Sequence, residues 1–118
     1  MQDETIMLTI YHNPRCSKSR QTLQLIEDNR QPVTVIEYLK TPINQQQIEL
    51  LLKQLNCLPK EMMRTKELEF KQHNLQNADH NSLLQAMVNM PKLIERPIVV
   101  KGNKAIIGRP PENVLKLF

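Results

Sequence analysis

The nine residues His12-Asn13-Pro14-Arg15-Cys16-Ser17-Lys18-Ser19-Arg20 gather a thiol, an imidazole, two hydroxyls and three cations into one short stretch. Cys16 with Arg15, Lys18 and Arg20 around it reads as a thiolate nucleophile, because positive charge favours the ionised sulfur. Such surroundings bring a thiol pKa down to about 3.5 to 7.5. The same field attracts an oxyanion substrate. Ser17 and Ser19 offer hydroxyls to the sulfur or to a bound oxyanion, and His12 adds to the thiolate fraction by carrying positive charge. The plainer alternatives are that Cys16 is a small residue covering a strand end, that His12 satisfies backbone groups there and that Ser19 only packs. Two absences narrow the chemistry. A two-cysteine redox motif needs Cys at position 19, where Ser19 stands, so the resolving thiol comes from elsewhere. A phosphatase loop of the C-x-x-x-x-x-R type needs Arg at position 22, where Thr22 stands, which disfavours phosphate-ester hydrolysis. Cys57, near a helix end, is either a resolving thiol for Cys16 across space or a core or peripheral cysteine; the second reading is favoured and leaves it outside the mechanism.

The flanking elements predict how this stretch is held. Ile6 to Tyr11 is apolar and partly β-branched and stops at His12-Asn13-Pro14, as a buried strand would. From Ser17 the period changes, with Thr22, Leu23 and Ile26 on one face, and a helix runs to Asn29-Arg30. Val33 to Ile36 is a second strand, completing a βαβ unit with parallel strands. Cys16 then sits at a helix N-terminus, at the carboxyl end of a strand, where open α/β sheets bind ligands and orphan N–H groups favour an anion. Asn44 with Gln47 signals a helix start ahead of Ile48, Leu51, Leu52 and Leu55. The helical pattern continues through Pro59 to Leu75, and Ser82 with Gln85 opens another helix. Residues 42 to 90 therefore read as mainly helical. Ile98-Val99-Val100 and Ala105-Ile106-Ile107, joined through Gly102-Asn103, form a hairpin, and an amphipathic turn or two follows Pro110-Pro111.

The 118 residues suit one domain, and 40% apolar with 24% charged residues suits a soluble globule rather than a disordered chain. No run approaches the roughly 18 apolar residues of a membrane span, and the opening Met1-Gln2-Asp3-Glu4 is acidic where a signal peptide is basic. A cytoplasmic protein is expected, with no membrane partner. The net charge of +4 is modest and both signs alternate, while Tyr11, Tyr38, Phe70 and Phe118 are the only aromatics. Nucleic acid is therefore not an expected partner. His12, His73 and His80 lack the close spacing of a zinc site, and there is no Gly-rich nucleotide loop, so no metal or bound cofactor is expected.

His12 through Arg20, then Glu95-Arg96-Pro97-Ile98-Val99, then Gly108-Arg109-Pro110-Pro111 resemble the glutaredoxin-coupled arsenate reductase family nearly end to end. The resemblance implies an α/β thioredoxin-like fold, a four-stranded mixed sheet carrying an inserted helical segment, over a single domain 1–118 with the insert at about 42–90. It implies that Cys16 attacks arsenate, that Arg64, Arg96 and Arg109 surround the oxyanion, and that His12 and Ser19 support the thiolate. Pro97 resembles the cis-proline that faces the nucleophile in thioredoxin-like proteins. By default each arginine is a surface charge, but planar guanidinium forks suit a tetrahedral oxyanion better than ammonium groups do. Glutathione as co-substrate, glutaredoxin as partner and a monomeric state complete the implied picture. Where the best-studied members carry Gly and Thr after the cysteine, this chain has Ser17 and Lys18, which alters loop freedom and charge. Two other classes share the superfamily's features: a one-thiol redox sensor or Spx-like regulatory binding protein, and a monothiol oxidoreductase acting on small disulfides.

Overall fold

A computed structural model describes residues 6–118; the acidic opening Met1-Gln2-Asp3-Glu4 lies outside the described residues. Residues 6–37 with 96–118 form one compact unit and residues 38–95 another.

In the first unit, strand β1 (Leu8–His12) buries alternate residues, so Leu8, Ile10 and His12 share the core face. The strand begins later than the apolar run suggests, since Ile6 and Met7 remain half exposed, and it continues one residue further, through His12. Helix α1 (Ser17–Asp28) buries Ser19, Thr22 and Ile26, a single stripe at helical spacing. It crosses over to β2 (Val33–Glu37), which pairs with β1 in parallel, from Leu8 opposite Val33 to His12 opposite Glu37. Strand β3 (Ile98–Lys101) runs antiparallel to β1, and β4 (Lys104–Ile107) antiparallel to β3. Gly102 in the connecting turn has φ 60, the left-handed conformation such a tight hairpin requires. The sheet is four-stranded and mixed, as expected, and its order is β2-β1-β3-β4. Leu8, Ile10, Ile26, Val99, Val114 and Leu117 make the core under this sheet. The C-terminal segment Pro111–Leu117 that supplies Val114 and Leu117 is 3₁₀-helical. Its two opening prolines donate no backbone hydrogen bond, and the tighter turn is common in short pieces.

The second unit lies between β2 and β3 in sequence and is built from helices. Helix α2 (Gln45–Leu55) starts with the expected capping box: Gln47 N–H donates to Asn44 Oδ1 at 2.8 Å and Asn44 N–H to Gln47 Oε1 at 2.7 Å. Ile48, Leu51 and Leu52 are its buried stripe, and it ends at Asn56 in the left-handed conformation. The stretch to Leu75 is broken rather than continuously helical. A 3₁₀ turn (Pro59–Met62), the short helix α3 (Leu68–Gln72) and a 3₁₀ turn (Leu75–Asn77) are separated by a short extended stretch at Met63 and by turns, the last with Asn74 in the left-handed conformation. The break has a cause: Met63 forms a β-bridge with Ile94, flanked by Arg64 N–H to Leu93 C=O at 2.7 Å and Glu95 N–H to Met62 C=O at 2.8 Å. Helix α4 (His80–Asn89) begins before the Ser82 and Gln85 pair, because Asp79 accepts the Ser82 N–H at 2.8 Å and is the cap. Met62, Leu84, Met87 and Leu93 are fully buried in this unit.

Candidate active site

The loop between β1 and α1 is shaped by Asn13. Its side-chain oxygen accepts the Arg15 N–H at 3.0 Å and its carbonyl accepts the Cys16 N–H at 3.0 Å, so the chain turns sharply before the helix. Cys16 is the N-cap of α1, in extended conformation, and its carbonyl accepts the first helical bond from Arg20 N–H at 3.0 Å. The thiol makes no close capping bond. Burial pushes its pKa up. The Ser19 N–H, the Arg96 guanidinium and the Lys18 N–H act against burial and prevail, so the thiol lies below its ordinary range.

The positive charge on this sulfur comes from a different source than its sequence neighbours suggest. Arg20 turns back to the loop, its Nη1 donating to Pro14 C=O at 2.9 Å. Arg96, which lies 80 residues further along, is the guanidinium that favours the thiolate, and its buried Nε makes no hydrogen bond. Arg109 approaches as well: its Nη1 is 3.8 Å from Cys16 Sγ and 3.0 Å from Arg96 C=O. That nitrogen is committed first to the carbonyl, with the sulfur a second, longer acceptor. Two guanidinium groups therefore flank the thiol, and the peptide bonds Arg96-Pro97 and Arg109-Pro110 are both cis. The cis bond at Pro97 is the one the resemblance implies; that at Pro110 has no counterpart in the sequence reading.

His12 and Ser19 stand behind the sulfur, with roles different from those expected. His12 is buried on the core face of β1, and burial pushes its imidazole below the usual range, with Glu37 opposing and Arg20 reinforcing the shift. It is thus not a carrier of positive charge at neutral pH. The Ser19 hydroxyl accepts Asn13 N–H at 3.0 Å and lies 2.7 Å from His12 Nδ1, so its side-chain contacts are with the loop and the strand end. A neutral ring accepting at Nδ1 holds its proton on Nε2. Together the two residues fasten the first turn of α1 to the end of β1, and it is the Ser19 backbone N–H that serves Cys16.

Three residues to which the sequence reading gave no role at the site, Thr22, Gly108 and Asn113, shape the turn that carries Arg109. Thr22 Oγ1 donates to Lys18 C=O at 2.8 Å and reaches Gly108 C=O at 3.4 Å. A Cβ on Gly108 would lie 2.5 Å from Thr22 Oγ1 and 2.9 Å from Pro97 Cγ, so only glycine allows the end of β4 to pass this close to α1. Asn113 Nδ2 donates to Ile107 C=O at 3.3 Å and Arg109 C=O at 3.2 Å, bracketing the same turn. The one available signal was Gly108 itself, since the chain has only two glycines.

Arg64 belongs to the second unit, where its Nη2 pairs with Glu67 at 2.9 Å. Cys57, in the same unit, follows the C-terminus of α2, and burial together with Glu61 pushes its thiol up. Among the described residues no group of three or more His, Cys, Asp and Glu side chains could hold a metal ion. No helix among them is long and apolar enough to cross a membrane.

This geometry has close relatives. The chain is 49% identical over 116 residues to the uncharacterized protein YfgD of Escherichia coli (strain K12), covering 96% of this chain and 98% of that one. It is 45% identical over 113 residues to the arsenate reductase of Haemophilus influenzae, covering 92% and 97%. The solved structure of an arsenate reductase from Vibrio cholerae superposes with a TM-score of 0.94 at 43% identity, covering 98% of this chain and all of that one. The model of the ArsC family matches residues 11–117, from the end of β1 to the C-terminal 3₁₀ helix, and the chain belongs to that family.

Proposed function

We propose that this protein is an arsenate reductase in which Cys16 is the nucleophile, resolved by glutathione and then glutaredoxin. The observation that carries the reading is the pairing of a lowered thiol pKa with two guanidinium groups at the same sulfur, one with a buried Nε lacking any acceptor. Planar guanidinium groups bind a tetrahedral oxyanion through several N–H donors, and Arg109 commits only one nitrogen to Arg96 C=O. Arg96 and Arg109 are proposed to bind arsenate.

The Cys16 thiolate attacks arsenic, an S–As bond forms, and one arsenate hydroxyl leaves, taking up a proton from solvent to become water. The glutathione thiol displaces a second oxygen in the same way. Both S–As bonds then break as an S–S bond forms between Cys16 and glutathione; the electron pair stays on arsenic, which departs as arsenite. Glutaredoxin thiolate attacks the glutathione sulfur and returns Cys16 as thiolate. The arginines stabilise the oxyanion throughout, and the α1 N-terminus keeps the sulfur ionised at each return. A reducing compartment such as the cytoplasm would supply glutathione.

Arsenite formation with glutathione and glutaredoxin present tests this. The parent is expected to turn over, Cys16→Ser to be inactive, and Arg96→Lys and Arg109→Lys to bind arsenate more weakly. No arsenite from the parent, or full activity in Cys16→Ser, would overturn the assignment.

A further inference from the structure

Arg15 and Lys18 flank the nucleophile but are not spent on it. The charge that lowers Cys16 comes from Arg96, and Arg20 is held by Pro14 C=O. The Arg15 and Lys18 side chains are exposed and make no hydrogen bond or ion pair among the described residues. No acidic residue stands between Glu4 and Glu27, and the first turn of α1 has none. Arg64, by contrast, is paired with Glu67, and Lys92 with Glu67 and Glu69. Next to the thiol in sequence there is thus exposed positive charge with no acid paired to it among the described residues.

We propose that Arg15 and Lys18 form a carboxylate-recognising rim that selects small thiols bearing carboxylates, and their disulfides, as exchange partners of Cys16. The inference rests on Cys16 being the reactive thiolate of the reading above. An oxyanion already seated between Arg96 and Arg109 leaves those groups occupied, so a second anionic reactant needs its own cations. A tripeptide thiol such as glutathione carries its carboxylates several bonds from the sulfur, which suits charges placed one residue before and two after the nucleophile. In exchange, the Cys16 thiolate attacks one sulfur of RS–SR, a Cys16–S–S–R bond forms, and RS⁻ leaves with the electron pair of the broken S–S bond.

The test is stopped-flow exchange of the reduced protein with three disulfides: oxidised glutathione (anionic), 2-hydroxyethyl disulfide (neutral) and cystamine (cationic). The double variant Arg15→Gln with Lys18→Gln is expected to react about fivefold more slowly with oxidised glutathione, unchanged with the neutral disulfide and faster with cystamine. Raising the ionic strength to about 0.5 M should remove most of the difference in the parent. Alkylation by neutral iodoacetamide reports whether Cys16 itself is altered. Equal slowing toward all three disulfides and iodoacetamide, or no change with oxidised glutathione, overturns the proposal. A failure to reduce arsenate would leave the exchange rates to decide this point, and an uncharged exchange preference would leave arsenate turnover standing.

Discussion

Helices α1 and α2 open in opposite ways. At α2, Asn44 and Gln47 satisfy each other's backbone donors, and at α4 Asp79 does the same for Ser82. At α1 the cap position holds Cys16, whose thiol makes no close capping bond. Helices α2 and α4 use their N-terminal amides for stability, whereas α1 leaves its amides open to a thiolate and to an anion beside it. Substituting the cap of an ordinary helix costs only stability; at α1 the same position decides the chemistry. The two cysteines repeat the contrast at opposite helix ends. Both are partly buried and burial raises both thiols, but Cys16 has amides and Arg96 to reverse the shift, while Cys57 has Glu61 to add to it.

The largest effect expected from this contrast is on thiol reactivity. At pH 7 Cys16 should be alkylated by iodoacetamide at least about tenfold faster than Cys57, since only thiolate reacts. The ratio should narrow as pH rises through the ordinary thiol range and Cys57 ionises. Arg96→Gln should slow Cys16 by about tenfold at pH 7, with a smaller loss in Arg109→Gln, whose Nη1 is engaged by Arg96 C=O. Mass-spectrometric alkylation rates of both cysteines between pH 6 and 10 measure all of this. A larger loss in Arg109→Gln than in Arg96→Gln would reassign the charge that ionises the sulfur.

Next in size is the packing that carries Arg109. Gly108→Ala places a Cβ against Thr22 Oγ1 and Pro97, and overpacking of this kind costs about 1 to 3 kcal/mol. Gly102→Ala meets open space, and its cost of about 1 kcal/mol comes only from the left-handed φ. Urea unfolding separates the two. If Arg109 binds arsenate as proposed, weaker arsenate binding is expected in Gly108→Ala alone.

These residues also mark where reading the sequence runs out. The β1 to α1 junction, the Asn44 capping box and the Gly102-Asn103 hairpin were legible because each is written in residues within a few positions of one another. The position of Arg96 at the Cys16 sulfur, and the meeting of Thr22 with Gly108, depend on pairings across the sheet that no local pattern records; resemblance supplied the arginines and nothing supplied Thr22. His12 was misjudged as a charge carrier although the alternation Leu8, Ile10, His12 puts it on the core face, where burial keeps it neutral. Between Pro59 and Leu75 the helical periodicity was overridden by the Met63 and Ile94 bridge.

Smaller still is the loss from Asn44→Ala, about 1 kcal/mol by removal of the capping box, with no change in Cys16 alkylation. Its counterpart at α1 runs in the other direction. Cys16→Ser installs a good capping hydroxyl where none acts, so at pH 6 the inactive variant should be more stable than the parent by about 0.5 to 1 kcal/mol. The sign changes with pH in a defined way. Because folding depresses the Cys16 pKa, thiolate formation stabilises the parent fully above the unfolded thiol value of about 8.5 and is lost as pH falls through the folded value. The stability advantage of Cys16→Ser should therefore shrink between pH 6 and 9, as urea midpoints of the two reduced proteins would show. A variant less stable than the parent already at pH 6 would mean that the α1 amides are satisfied without a side-chain cap, and that the helix gives up nothing for its nucleophile.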